Sequence, residues 1–265
     1  MSEKPVSLWL RIYAVLAYAY VYLPIVILII FSFNTQKLNV SWEGFTLDWY
    51  RVLFNNANVL KATQNTLIVA FTATFFSTII GTLAALALQR YRFPGYLFAE
   101  SALYIPVIIP EIVMGIALLI FFALLKFKLG LLTITLSHIA FTIPFVALVV
   151  RARLHGFDRS IEEAAMDLGA NEWVTFWRIT LPTILPGVLS GALLAFTLSL
   201  DDYVITYFTA GPGSTTLPLR VFSMVRFAVT PEINALSTLW VLTVFIVLGA
   251  AQLIQSGAFV NNRRA

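Results

Sequence analysis

Three carboxylates stand where an otherwise apolar sequence has least room for them. Glu111 lies in I-P-V-I-I-P-E-I-V-M-G, and Asp201 and Asp202 close the run F-T-L-S-L-D-D at 196–202. An ionised group inside a bilayer-spanning segment is costly unless it faces a cavity or a partner, so each is read first as functional. The three share one sign, and the apolar segments around them hold no Lys or Arg, a pattern suited to a cation. An organic polycation adds methylene surface, which Trp or Tyr faces hold by cation–π and apolar contact. Trp49, at the outer mouth, could supply such a face. Structural roles compete: Glu111 could bond amides freed at Pro106 and Pro110, and Asp201-Asp202 could be a helix-end pair at headgroup level. Trp42 and Trp49 could belong to an aromatic belt. His138 reads as a packed, hydrogen-bonded helix residue, and 2 His in the chain make a His-based metal cluster implausible.

The elements that position these residues follow from composition. The chain has 265 residues, 60% hydrophobic and 11% charged, with a mean hydropathy of +0.88; a soluble domain averages about 25% charged. Cysteine is absent, which excludes disulfides, thiol catalysis and Cys-based metal sites. The net charge of +4 needs no nucleic-acid partner, because Lys and Arg flank the apolar runs. A helix needs roughly 20 apolar residues to cross a bilayer. Six segments qualify: Ile12–Phe33, Thr66–Leu88, Ala99–Leu125, Leu131–Val150, Ile184–Tyr203 and Ile233–Ile254. The expected fold is an all-α integral membrane bundle of six transmembrane helices. The first run exceeds the roughly 7–15 residues of a signal-peptide core and lacks a small-residue cleavage site, so it is expected to stay as an anchor.

On this layout Glu111 falls about 12 residues into the third span, ~18 Å along it, and the Asp pair ~22 Å beyond Pro186 in the fifth. Pro106, Pro110 and Gly115 break the third span, and irregular backbone at depth is tolerated where it lines a cavity. With the N-terminus inside, ten basic residues fall on the cytoplasmic side and seven outside. Nine of the ten are Arg, among them Arg90, Arg151, Arg159 and Arg178. The bias favours N-in and C-in and puts the 151–183 loop in the cytoplasm. In the outer loop 34–65, Phe45, Trp49 and Val52 at i, i+4, i+7 predict a short amphipathic interfacial helix.

Residues 163–182, E-A-A-M-D-L-G-A-N-E-W-V-T-F-W-R-I-T-L-P, form a long polar interruption where a membrane protein can meet a soluble partner. Ser160 and Glu163 have capping-box spacing, and Gly169 falls where a left-handed helix C-cap is needed. Asn171 can cap a second short helix ending before Leu181-Pro182. Ala164 and Ala165 leave a low surface for another protein's wall, and Trp173, Phe176 and Trp177 are expected to pack under the membrane domain.

Glu163-Ala164-Ala165, Gly169, Ile179, Leu181 and Pro182 match, at every spaced position, the EAA motif of binding-protein-dependent ABC importer permeases, a family this chain resembles. The resemblance implies a type I importer-like permease bundle, residues 1–265 as one transmembrane domain, and 151–183 as the coupling loop that docks in a groove of a cytoplasmic ATPase. No P-loop G-x-x-x-x-G-K-[ST] occurs, so ATP and Mg are expected on a separate subunit and none in this chain, which is no enzyme itself. Further stretches resemble spermidine/putrescine permeases: S-F-N near 32, F-D-R-S-I-E-E-A-A-M-D-L-G-A at 157–170, F-T-L-S-L-D-D, G-P-G-S-T-T-L-P at 211–218 and P-E-I-N-A-L-S-T-L at 231–239. They imply a homologous second permease forming a heterodimer, two ATPase subunits, a periplasmic polyamine-binding protein, and an inner-membrane location in a bacterium. Ser199, beside the acid pair, and Glu172, at the inner end of the path, join the site residues. Glu111 departs from the Asp common at its place in the resembling proteins. The same machine carrying ferric ion or a small organic solute is the alternative. A self-contained secondary transporter would show an internal repeat with paired broken helices, and an intramembrane enzyme a motif such as H-E-x-x-H or G-x-S-x-G; the sequence offers neither.

Overall fold

The computed structural model describes residues 7–37, 41–226 and 230–261. They form helices, with one isolated antiparallel bridge between Asn34 and Phe45. Chains this apolar close their backbone hydrogen bonds within each helix because lipid supplies no partners. Side-chain hydroxyls do the same: Ser137 donates to the Thr133 carbonyl at 2.7 Å, Thr142 to His138 at 2.7 Å and Thr197 to Leu193 at 2.9 Å. The chain divides into two compact units, residues 61–220 and residues 1–60 with 221–265.

The unit at 61–220 holds most of α3 (Ala57–Arg90), then α4 (Tyr96–Ile108), α5 (Glu111–Leu124) and α6 (Leu131–Leu154). It continues through α7 (Ser160–Asp167), α8 (Glu172–Thr175), α9 (Leu181–Asp201) and α10 (Val204–Thr209) into α11 (Leu217–Val225). Its core joins Ala85 of α3, Val146, Ala147 and Val150 of α6, and Ile184 and Ala195 of α9, all wholly buried. Close approach is set by small residues, as expected where lipid gives helices no hydrophobic reason to associate. A Cβ on Gly81 would lie 2.8 Å from Val146 Cβ and 2.9 Å from the Ile143 carbonyl oxygen; one on Gly191 would lie 3.3 Å from Val146 Cα. Val146 is thus pinched between α3 and α9.

The third expected span is not one helix. α4 and α5 are bent by 115° at Ile109-Pro110. Ile109 is extended at φ −72°, ψ 132°, the conformation a following proline imposes, since its ring excludes αR and its nitrogen donates no hydrogen bond. Depth along a straight helix therefore does not locate Glu111. Among the described residues four helical segments, Leu8–Phe31, Ala57–Arg90, Leu131–Leu154 and Glu172–Asp201, are long and apolar enough to cross a bilayer, and the bent pair makes a fifth if it counts as one. The sixth expected span falls in α12 (Pro231–Asn261), whose first part, Pro231–Ile246, is apolar but shorter. The loop expected at 204–232 contains α10 and α11.

In the other unit α1 (Leu8–Phe31) and α2 (Asp48–Asn55) both pack on α12. No side chain of α1 is buried, and beyond Arg11 in its first turn it carries no charged residue, as suits lipid. The interfacial helix begins at Asp48, so Phe45 lies outside it, bridged to Asn34 and stacked on Phe33 at 5.2 Å. Asn34 organises the turn: its side chain donates to the Ser41 carbonyl at 2.7 Å and accepts the Glu43 amide at 3.0 Å.

Gly81→Val should overpack the contact with Val146 and the Ile143 carbonyl, at a cost of about 1–3 kcal/mol. Thermal unfolding in detergent should show a lowered midpoint, and an unchanged midpoint would mean that α3 and α6 are not this close.

Candidate functional site

The polar loop is built from two capped turns. α7 ends in a Schellman motif: the Ala170 amide donates to the Ala165 carbonyl at 3.0 Å and the Gly169 amide to Met166 at 2.9 Å. Gly169 is left-handed at φ +92°, the conformation that favours glycine. Asn171 then caps α8, its side-chain oxygen accepting the Val174 amide at 2.8 Å. At the other end the expected capping box is absent. Asp158 does the capping, accepting the Ser160 amide at 2.9 Å, while Glu163 stays exposed. That backbone bond holds the Asp158 carboxyl below the usual carboxylate range. The cap is therefore present at neutral pH and lost only as pH falls through that lowered value.

α8 does not stop before Leu181-Pro182. It continues through a wide π turn, Phe176–Thr180, into α9, forming one helical segment from Glu172 to Asp201. A regular turn would drive the Pro182 ring into the Arg178 carbonyl, and the wider turn relieves that clash. The Thr183 hydroxyl takes up the Ile179 carbonyl at 2.6 Å. Ile179 and Leu181 are half-buried, Leu181 against the core, and Pro182 is exposed. Of the three aromatic residues only Phe176 packs inward; Trp173 and Trp177 are exposed and meet edge to face, and both rings also touch Phe176. Ala164, half-buried Ala165 and Leu168, 90% exposed, leave an accessible face on α7.

Glu162, which the sequence reading passed over, is the buried acid of this loop. It pairs with Arg90 at the end of α3 and accepts the Thr180 hydroxyl of the π turn. The three side chains bond one another, and removing the Glu162 carboxylate would take from Arg90 its ion-pair partner. These groups line a cavity of about 220 Å³ whose wall also carries Arg159, Glu163 and Glu172. The available signal was the Glu162-Glu163 pair itself: neighbours on a helix point about 100° apart, so one acid turns inward when the other faces out.

The pathway candidates separate. Asp202, 8% exposed, follows the last residue of α9, and its carboxylate accepts the Ile205 amide at 3.2 Å, the Thr206 amide at 2.8 Å and the Thr206 hydroxyl at 2.7 Å. It therefore caps α10. His138 Nε2 lies 2.9 Å from Thr206 Oγ1 and 3.2 Å from Asp202 Oδ2, and Nδ1 lies 2.7 Å from Ser199 Oγ. His138, Ser199 and Asp202 are thus one buried cluster joining α6 to the α9–α10 break. Asp201 turns away and is exposed, as is Glu111, the first residue of α5. Glu111 has no hydrogen bond among the described residues, so it does not satisfy the amides freed at the proline break, and it lies within electrostatic reach of Asp201 and Asp202. α5 and α10 touch where Gly115 meets Phe208; a Cβ there would be 2.7 Å from the ring. Trp49 donates its indole N–H to the Asn34 carbonyl at 2.7 Å, a structural latch in the other unit. Among the described residues no His, Asp and Glu grouping could hold a metal ion.

Apolar helices long enough to cross a bilayer, broken at Pro110 beside Glu111 and again at Asp202, with a capped polar loop between α6 and α9, are the features of an integral membrane protein. Residues 77–263 match the family described as binding-protein-dependent transport system inner membrane component, and the chain belongs to that family. It is a multi-pass inner-membrane protein. Over 237 residues it is 46% identical to the spermidine/putrescine transport system permease protein PotC of Escherichia coli K12, covering 89% of this chain and 90% of that protein. It is 44% identical over 248 residues to the putrescine transport system permease protein PotI of the same strain, covering 90% and 88%. The fold resembles that of a bacterial ABC transporter involved in import of the acidic polysaccharide alginate, with a TM-score of 0.68, 18% identity and coverage of 97% of this chain and 96% of that one. It also resembles the MetNI methionine ABC transporter in inward-facing form, with a TM-score of 0.65, 19% identity and coverage of 81% and 99%.

Gly169→Val places a β-branched residue at positive φ and should strain the turn by roughly 1–2 kcal/mol. The expected outcome is an assembled complex that hydrolyses ATP but imports less per ATP consumed. An unchanged ratio would show that the geometry of this turn does not matter for coupling.

Proposed function

We propose that this chain is a permease subunit of an ATP-driven importer that moves polyamines from periplasm to cytoplasm. The observation that carries the proposal is the identity, over nine tenths of the chain, to permeases named for spermidine and putrescine transport. The chemistry agrees with it. A polyamine offers ammonium groups to Glu111 and Asp201 and methylene stems to apolar walls, and a pathway of scattered single contacts binds weakly enough to release its cargo.

In this reading residues 1–265 act as a single permease domain paired with a homologous second permease. Residues 151–183 are its cytoplasmic coupling loop, with α7 docking on one of two ATPase subunits that bind ATP and Mg. A periplasmic polyamine-binding protein delivers the cargo. The exposed face of Ala164, Ala165 and Leu168 supports that docking role, and the tie from Glu162 to Arg90 and Thr180 links α7 to α3 and α9. Trp49 and Glu172 are assigned to the outer and inner ends of the path, Trp49 through its half-buried ring face and Glu172 through its place on the cavity wall.

Uptake of labelled putrescine by cells expressing the full transporter should be suppressed by excess unlabelled spermidine and abolished without the ATPase subunit. Uptake of another solute that ignores both polyamines would overturn the cargo assignment, and uptake that persists without the ATPase would overturn the energy source.

A further inference from the structure

We propose that His138 is a positioning residue of the transport pathway, and that Ser199 and Asp202 act through it, held off the pathway, while the neighbouring Asp201 faces the moving cargo. The inference rests on reading this region as the cation path.

The hydrogen-bond inventory fixes the arrangement. Thr206 has one hydroxyl proton, and its Oγ1 lies 2.7 Å from Asp202 Oδ2, an ionised oxygen that can only accept. The same Oγ1 is 2.9 Å from His138 Nε2, so Nε2 must carry the proton and donate. Nδ1 of the same ring lies 2.7 Å from the Ser199 hydroxyl oxygen, within hydrogen-bond distance. Both ring nitrogens, the Thr206 and Ser199 hydroxyls and both Asp202 oxygens are thereby occupied. His138 is 2% exposed, Ser199 3% and Thr206 0%. Groups so enclosed have too little surface to meet a passing ammonium ion, and Asp202 is only 8% exposed.

The clamp has a geometric product. The α9 helix ends at Asp201, Asp202 leaves the helical region at φ −62°, ψ 122°, and α10 restarts at Val204. Drawing the Asp202 carboxylate into the clamp with His138 of α6 leaves the adjacent Asp201 carboxylate aimed away from it. Paired aspartates in sequence thus divide into a buried strut and an exposed contact, and His138 decides which is which.

The chain contains no cysteine, so a single introduced thiol is the one label site on this subunit, read on its separated band. Asp201→Cys and Ser199→Cys would each be assembled with the partner subunits and treated with a membrane-impermeant quaternary-ammonium methanethiosulfonate, in the resting complex and with ATP and vanadate. Thiol modification follows exposure, so Asp201→Cys should react in at least one state, and Ser199→Cys about tenfold or more slowly in both. Adding His138→Leu to Ser199→Cys should raise its rate, and His138→Leu alone should cut uptake at least as far as Ser199→Ala does. Ser199→Cys reacting as fast as Asp201→Cys with His138 in place would overturn the proposal, even if His138→Leu fails to assemble. So would uptake unaffected by His138→Leu. Labelling needs no cargo, so a transporter of some other solute would give the same pattern, and an error in the cargo assignment is distinguishable from an error here.

Discussion

Asp202 is a carboxylate the bilayer would not accept alone, and the upper part of the 61–220 unit is arranged around its satisfaction. Two amides and a hydroxyl of α10 and the ring of His138 on α6 are all directed at it. An isolated ion in a low-dielectric interior is costly, and a fully bonded one fixes its neighbours because each partner has no better alternative. From that single requirement follow the end of α9 at Asp201, the start of α10 at Val204, and the closeness of α6 to that break. α10 in turn lies against α5, whose first residue is Glu111. The exposed carboxylates are held by a structure that their buried neighbour organises.

A second satisfied acid plays the corresponding part at the polar loop. Glu162 joins α7 to the end of α3 and to the π turn that leads into α9. Displacement of α7 would therefore be felt by two long helices at once, one of them the helix that ends at Asp201. The loop is stiff where force would enter, through the Schellman turn at Gly169 and the Asn171 cap, and wide at Phe176–Thr180, where prolines prevent a regular helix. Two buried acids thus stand at opposite ends of the segment formed by the π turn and α9.

Much of this was legible in the sequence because it depends on backbone chemistry. Gly169 and Asn171 announce their caps, the apolar runs announce their helices, and Pro110 announces a break. The size of the break was not legible, since a proline specifies what the preceding residue cannot do and tertiary packing sets the angle. Asp201 and Asp202 read as an equivalent pair because adjacency says only that they diverge. Ser199, Asp202 and Thr206 come together across the break between α9 and α10, so no helical spacing announces them. Their partner, His138, lies 61 residues before Ser199 in sequence, and no local pattern could supply it. The capping box failed for a different reason: Asp158 offers a charged acceptor two residues ahead of Ser160, which a neutral hydroxyl does not match. Trp49 reads as a substrate face because aromatic faces suit cations, and the bond from its one donor to Asn34 engages the ring edge, not that face.

The central claim is that a cation is moved past exposed carboxylates by a subunit powered from its cytoplasmic loop. ATP-driven putrescine uptake into proteoliposomes containing the complete transporter and its binding protein, compared between the wild type and the Asp201→Asn, Glu111→Gln double variant, tests it most directly. The expected result is uptake reduced by about tenfold or more, the equivalent of roughly 1.4 kcal/mol or more in the transport barrier, with assembly and ATP hydrolysis retained. Uptake equal to the wild type would contradict the claim, because the charges would then serve the fold and not the cargo.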